Sequence, residues 1–336
     1  MSRVIAKGYV HRPGFHCASS AIRNLVGHFG HALSEPMCLG LGLVCNFMYA
    51  KEDAASPTRM LIGRNIALEE DFFRIVHVDA PMRRATPEDD GWPRLKAILD
   101  EGHPVMIQVD LFHLKYFNSS THFGGHKVLL AGYDLEKEVA LISDSEFPEM
   151  QWVTLDDLHA ARFDPTPPFS LSGQWWELHE IPRLRPLKDA VDQSLRESAE
   201  RVFRDPTGFF GIAAMRRCAE DLPHWTDQAD WAWCARFAYQ IIERRGTGGG
   251  YFRTQYANFL SEAATYDPDI DRWGLPEKMR EIGTKWTELA YLFKDVSERP
   301  APGDGFARAA EKFAAITDRE EAFFRIVAEN WPSEES

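Results

Sequence analysis

Residues 16–25 read HCASSAIRNL, so a cysteine stands directly before a segment with helical spacing. Apolar residues recur every three or four positions across residues 18–31, which predicts an amphipathic helix. Cys17 therefore lies at the predicted helix start, where unpaired backbone N–H groups and the helix dipole create partial positive charge. Both features favour a thiolate over a thiol and can bind a developing oxyanion. A lone cysteine at a helix start is more often structural, so a nucleophile at Cys17 requires a base.

A predicted β-hairpin downstream supplies a candidate base. Its two apolar runs, 127–133 and 139–143, are separated by a polar turn. His126 precedes the first strand and Asp144 ends the second, and both are equally distant from the middle of the turn. This spacing predicts that the two side chains face each other across the ladder, although a slip of one residue would separate them. Singly, a histidine at a strand start and an aspartate in a turn are ordinary; with Cys17 they form a nucleophile, a base and an orienting acid.

The pattern of elements changes along the chain. The first half reads as mixed helix and strand, with a helix over residues 93–100, a strand over 105–109 and either a last strand or the entry to a helix over 151–155. A proline-rich stretch follows at 163–169. Long segments of 3.6-residue period come after it: 187–203, 209–221, 227–245, 251–264, 276–296 and 305–330. We therefore predict an α+β protein with an antiparallel-sheet catalytic domain at 1–165, a linker at 166–183 and an all-α domain at 184–331.

Composition and charge exclude several classes of function. The 336 residues include 38 basic and 51 acidic side chains, a net charge of −13, which disfavours binding to nucleic acid or anionic membranes. We find neither an apolar run long enough to span a membrane nor a signal sequence, and expect a cytoplasmic protein. The five cysteines show no zinc-binding spacing, so we expect neither disulfides nor a structural metal. His122 and His126 are four positions apart, but two glycines lie between them and a strand follows, which disfavours a helical metal pair.

Several motifs together resemble one known family. The N-terminal half resembles the N-terminal domain of the butirosin biosynthesis protein H family, and the helical half is similar to the domain of unknown function that accompanies it. The N-terminal motifs that carry the resemblance are HCASSAIRNL at 16–25, LSE at 33–35, GLG at 40–42, the stretch 109–116, HFGGH at 122–126 and GYD at 132–134. In the second half the matching stretch is RGTGGGYFR at 245–253.

The resemblance implies a papain-like fold and acyl transfer. In that family's namesake an aminoacyl group moves from the phosphopantetheine thioester of an acyl carrier protein to an amine. By the same resemblance Cys17 matches the nucleophile, His126 the base and Asp144 the orienting acid, in the chain order of papain-like enzymes. The sequence departs from the wider papain-like pattern because residues 1–16 contain no glutamine to line an oxyanion hole. The Cys17 N–H can serve there, and His11 or His16 is a candidate second donor.

The resemblance also suggests substrate contacts. Near the predicted triad the candidates are His16, Asp110 and Tyr116. Gly249 and Arg253 lie where a glycine loop enters a predicted helix, which would suit a phosphopantetheine phosphate. The alternatives for that loop are a helix-ending glycine in a tight turn and a packing role against the catalytic half. The expected partners are a carrier-protein or CoA thioester donor and an amine-bearing small molecule, with no cofactor beyond the phosphopantetheine co-substrate; a homodimer is compatible with the sequence.

Three functions remain open from the sequence. The leading hypothesis is an acyltransferase of specialised-metabolite biosynthesis that forms an amide or ester through an acyl-Cys17 intermediate. In this hypothesis the helical domain shields the acyl-Cys17 intermediate from water and shapes the acceptor or carrier site. The second is a cysteine amidase or peptidase on the same three residues. The third is a non-catalytic scaffold, against which the retained cysteine, histidine and aspartate argue.

Overall fold

A computed structural model describes residues 2–167, 169–205 and 208–332. In chain order its elements are β1 (Arg3–Ile5), α1 (Cys17–His28), α2 (Glu35–Leu41), β2 (Cys45–Lys51), β3 (Arg59–Arg64), α3 (Leu68–Ile75), β4 (Met82–Arg83), α4 (Trp92–Asp100), β5 (Val105–Val109), β6 (His126–Asp134), β7 (Val139–Ser143), β8 (Gln151–Thr154), α5 (Leu155–Arg162), β9 (Trp175–Trp176), α6 (Leu187–Phe203), α7 (Gly211–Asp221), α8 (Trp231–Glu243), α9 (Arg253–Ala263), α10 (Asp269–Arg272), α11 (Leu275–Ser297) and α12 (Gly305–Asn330). The predicted α+β class, an antiparallel sheet followed by helices, is confirmed.

The chain forms two compact units that do not correspond to a single cut in the sequence. The first comprises Met1–Cys38 and His77–Leu184, and the second Leu39–Val76 and Arg185–Ser336. Residues 39–76 thus belong to the second unit, whereas the predicted catalytic range 1–165 includes them. The reason lies in the β2–β3 hairpin, a two-stranded sheet that cannot bury its own faces. Within the second unit β2 packs on α6 and α7, and β3 packs on α8.

In the described part of the first unit, seven strands form one antiparallel sheet. The order is β4-β9-β5-β6-β7-β8, with β1 paired to the end of β6 beyond β5. All nine residues of β6 are buried, as a central strand requires. Helix α1 packs on β5 and β6 and buries Ile22, Leu25 and Val26. This packing places the start of α1 on the strand that begins at His126.

The second unit is mostly helical, and the predicted helices are present there with small shifts at their ends. Predicted segments 187–203 and 305–330 coincide with α6 and α12. Helix α11 packs on α8, α9 and α12 and buries Trp286 completely. None of the described helices combines the length and the apolar character needed to cross a membrane.

Candidate active site

Cys17 is the first residue of α1, as the sequence predicts. His16 caps the helix in an extended conformation, and its Nδ1 accepts from the Ser19 backbone N–H at 3.4 Å. A cap of this kind satisfies one of the N–H groups that a helix leaves unpaired. Cys17 is partly exposed, while the other four cysteines are buried. The sulfur therefore combines access with the positive end of a helix dipole.

A buried glutamate that the sequence analysis missed holds the start of α1. The Glu35 side chain is only 6% exposed, and each of its oxygens accepts several hydrogen bonds. The donors to Oε1 are His16 N (3.0 Å), Ser19 Oγ (3.0 Å) and Ser20 Oγ (2.6 Å), and those to Oε2 are Phe15 N (3.2 Å) and Arg23 Nη1 (3.3 Å). One carboxylate thus ties the approaching loop to the first turns of the helix. Gly14 is needed beside it, because a Cβ there would lie 1.9 Å from Ser20 Oγ.

The structure brings His126 and Asp144 together, but not in the predicted register. Leu129 pairs with Ser143, so Asp144 lies opposite Val128 by continuation, two residues from the predicted partner. Near the turn the observed register differs from the predicted one by three residues, and a bulge between Leu130 and Gly132 reduces this difference to two. The prediction that the two residues face each other directly is therefore wrong. A shift of two residues keeps both side chains on one face, and His126 Nε2 still lies 2.8 Å from Asp144 Oδ2 as a diagonal neighbour.

Asp144 is fully buried and accepts three hydrogen bonds. Besides His126, the Tyr116 hydroxyl donates to Oδ2 at 2.9 Å and the Glu146 backbone N–H donates to Oδ1 at 3.1 Å. Burial alone would raise the pKa of Asp144, but His126 and these donors outweigh burial and lower the pKa. The rings of Phe117 and Phe147 pack beside this group, and Phe117 meets His126 edge-on with centroids 5.3 Å apart. The carboxylate is therefore ionised in an apolar surrounding.

His126 connects this carboxylate to the sulfur. Its side chain hydrogen-bonds Cys17, and because Nε2 is bound to Asp144, Nδ1 is the nitrogen left for the sulfur. Burial alone lowers the pKa of His126, but Asp144 and Cys17 outweigh burial and raise the pKa to about 10. An imidazolium held between a carboxylate and a sulfur favours a thiolate at Cys17. The arrangement can supply a nucleophile and a proton carrier to an acyl group.

The other residues predicted near the triad have defined contacts. His16 caps α1, Tyr116 binds Asp144, and Asp110 is buried, with its Oδ1 accepting from the Phe112 and Phe123 N–H groups. Both ring nitrogens of His11 have partners, at 2.7 Å from Ser143 Oγ and 2.9 Å from the Phe147 carbonyl. His11 would have to break one of these contacts to act as an oxyanion donor.

Gly249 and Arg253 lie in the second unit, where their contacts are internal. Arg253 is 1% exposed. Its five N–H donors all have acceptors: Glu320 Oε1 and Oε2 and the carbonyls of Asn46, Gly63 and Tyr251. The Gly249 N–H donates to Thr247 Oγ1 at 3.2 Å. A phosphate would find no free donor on Arg253, which contradicts its predicted substrate role; the side chain packs within the second unit instead.

The contrast among the cysteines leads to a labelling prediction. Cys17 should react first with iodoacetamide at neutral pH, because it is accessible and adjoins the His126 imidazole. Burial raises the pKa of Cys45 to about 12 and also raises the pKa values of the Cys218 and Cys234 thiols. Peptide mapping after timed alkylation measures the order of labelling. Labelling of Cys38 or Cys45 at the rate of Cys17 would contradict this assignment.

Comparison with known proteins agrees with the resemblance drawn from the sequence. Residues 16–145 match the family model "Butirosin biosynthesis protein H, N-terminal". Residues 156–327, more than half of the chain, match the model "Domain of unknown function (DUF4872)". The first match begins at the N-cap of α1 and ends just after Asp144, so it includes all three residues that converge. No curated protein matches the chain.

Proposed function

Because the chain belongs to the butirosin biosynthesis protein H family, we propose that it is an acyltransferase with Cys17 as nucleophile, His126 as general base and acid, and Asp144 as the acid that orients His126. Family membership itself indicates an enzyme of natural-product biosynthesis. The observation that carries the finer proposal is the continuous chain from the Cys17 sulfur through the His126 ring to the buried Asp144 carboxylate.

In the first step the Cys17 thiolate attacks the carbonyl of a thioester donor. A bond forms between the sulfur and the acyl carbon, the carbon–sulfur bond of the donor breaks, and the leaving thiolate takes the proton from His126. One sulfur replaces another, so this exchange is nearly balanced in energy. The donor is a carrier-protein or CoA thioester in this proposal, which requires no resident cofactor. Buried Asp144 keeps the imidazole oriented through both proton transfers.

In the second step an amine attacks the acyl-Cys17 carbonyl. Its nitrogen gives a proton to His126, the sulfur leaves as thiolate, and an amide is released; a hydroxyl acceptor would give an ester. The net charge of −13 suits a basic acceptor. Transfer requires that water be kept from the intermediate, and the apolar rings of Phe117 and Phe147 beside His126 support this.

Intact-mass analysis with an aminoacyl thioester of N-acetylcysteamine tests the proposal. We expect an adduct of one acyl mass on the wild-type chain and none on Cys17→Ala, because the bond is to that sulfur. Cys234→Ser is the matched control, since Cys234 is buried in the second unit and its hydroxyl analogue keeps the contact with Asp230. Adding primary amines and polyamines should then release the adduct as amide.

Each other outcome points to a different function. Free acid alone with every amine would replace the acyltransferase with an amidase or peptidase on the same residues. The absence of an adduct with every thioester and activated ester tested, on a chain that is folded by circular dichroism, would favour a scaffold. An adduct that survives in Cys17→Ala would overturn the assignment of the nucleophile.

A further inference from the structure

Two histidines and an aspartate meet beside the candidate active site without belonging to it. His113 ends a 3-10 turn (Leu111–His113), His122 lies in the loop before β6, and Asp164 follows α5. One possible ligand atom from each residue lies within 4.8 Å of those of the other two. The side chains of these residues hydrogen-bond one another, Asp110 and Thr166, so this cluster requires a separate explanation.

The two imidazoles converge on one carboxylate oxygen. Asp164 Oδ2 lies 2.6 Å from His113 Nε2 and 3.5 Å from His122 Nδ1. A second carboxylate is adjacent, because Asp110 Oδ2 lies 3.1 Å from the same His122 nitrogen. Two ring nitrogens and one carboxylate oxygen therefore surround one small volume, and the Asp110 oxygen borders it at His122. Closely spaced nitrogen and oxygen atoms of this kind are the donor set of a four-coordinate transition-metal site.

The candidate ligand atoms are held by contacts behind them, as in built metal sites. Asp164 Oδ1 accepts from the Thr166 N–H at 2.7 Å, which leaves Oδ2 directed at the histidines. Asp110 Oδ1 accepts two backbone N–H groups, which leaves its Oδ2 beside His122. The Phe112 ring stacks on the His122 imidazole with centroids 4.0 Å apart. His122 is one-third exposed, so an ion has access from solvent.

We propose that His113, His122 and Asp164 bind a divalent transition metal, Zn²⁺ in the first instance, with Asp110 nearest to the fourth position. Zn²⁺ takes imidazole nitrogen and carboxylate oxygen at about 2.0–2.2 Å, so the ion would replace the His113–Asp164 hydrogen bond with small movements of the side chains. Mg²⁺ and Ca²⁺ prefer sites made of oxygen alone. The sequence predicts no metal here because the ligands, at positions 113, 122 and 164, show no recognisable spacing.

A metal bound at this site would fix the segment of chain between His113 and His122. His113 and His122 bracket the segment that carries Tyr116 and Phe117, which contact Asp144 and His126. An ion bound to both histidines and to Asp164 would close this segment into a loop fixed at both ends. The proposal does not depend on the acyltransferase assignment, because it concerns only binding and order.

Titration with Co²⁺ tests the site, since four-coordinate Co²⁺ absorbs visibly and replaces Zn²⁺ in nitrogen and oxygen sites. The measurement uses the full chain with Cys17→Ala, so that the active-site sulfur supplies no ligand. We expect one ion per chain, competed by Zn²⁺. His122→Gln should weaken binding by more than the roughly 10- to 100-fold that loss of an outer-shell contact causes. His122 is exposed, so this variant should fold.

The matched control is His179→Gln, which changes a half-exposed histidine of the same unit that pairs with Glu101; it should bind Co²⁺ as the parent does. Asp164→Asn provides a second variant, with circular dichroism to check its fold, and should also lose the tight ion. If no ion binds to the parent, or if binding is unchanged in both His122→Gln and Asp164→Asn, the proposal is wrong.

Discussion

His126→Ala is expected to lower kcat/KM for acyl transfer by about 10²- to 10⁴-fold, the range for a positioned general acid and base. The variant removes the group that carries the proton in both steps and separates Asp144 from Cys17. Acylation of Cys17 should slow as well, because the thiolate loses its neighbouring imidazolium. Kinetics with the thioester donor and an accepted amine measure the first effect, and time-resolved intact mass measures the second.

Tyr116→Phe is the matched control for His126. It removes one hydrogen bond to Asp144 Oδ2 and keeps the ring packed against Phe117 and Phe147, while His126 stays bound to the same oxygen. Its effect should therefore be smaller than that of His126→Ala. If His126→Ala retained kcat/KM within a few-fold of wild type, His126 would not be the base and the proposed mechanism would fail.

Because the pKa of His126 is raised in the folded chain, the stability lost in His126→Ala should depend on pH. The folded pKa is about 10, above the unfolded value of about 6.5, so protonation favours the folded chain. This contribution is fully present below about pH 6.5 and is lost as pH rises through about 10. The difference in unfolding free energy between wild type and His126→Ala should thus shrink from pH 6.5 to pH 10, as measured by urea unfolding. A constant difference would contradict the raised pKa.

Local patterns were sufficient for most of the fold. The helix beginning at Cys17 and the long helices α6 and α12 follow from hydrophobic period, because each buries one regular face. The strand Val105–Val109 follows from its short length and β-branched residues, which are typical of a buried strand. The placement of residues 39–76 did not follow, since the faces of the β2–β3 hairpin are covered by helices far along the chain. The period of apolar residues shows which face of a helix or strand is buried, but it does not show which other element covers that face.

In the candidate site, too, local patterns predicted some features and missed those set by contacts between distant residues. His126 and Asp144 meet because a two-residue shift preserves the face of a strand. The bulge that reduces the shift from three residues to two has no clear sequence signal. Arg253 was a candidate phosphate ligand because it follows glycines. Its partner Glu320 is 67 residues away, so local sequence spacing could not predict the pair. Glu35 was missed for the same reason, although its place in the LSE motif at residues 33–35 was a signal.

Glu35 is a single buried acceptor for groups on both sides of Cys17. Removing its carboxylate leaves the Ser20 hydroxyl and two backbone N–H groups without this partner and leaves Arg23 without its opposite charge. Breaking a buried ion pair by removing one partner costs about 3–5 kcal/mol. The Arg23 side chain is 13% exposed, so water can partly compensate it, and the lower end of this range applies.

We therefore expect Glu35→Ala to lower the free energy of unfolding by about 3 kcal/mol, measured by urea denaturation at neutral pH. Glu35→Gln should lose less, because its amide oxygen can still accept from the serine hydroxyls while the charge for Arg23 is gone. Glu88→Ala, at an exposed glutamate of the same unit, should stay within about 0.5 kcal/mol of wild type. Because Glu35 holds the turn that presents Cys17, Glu35→Ala should also slow the alkylation of that sulfur. Equal stability of Glu35→Ala and Glu88→Ala would mean that the start of α1 is held by its packing on β6 and not by this carboxylate.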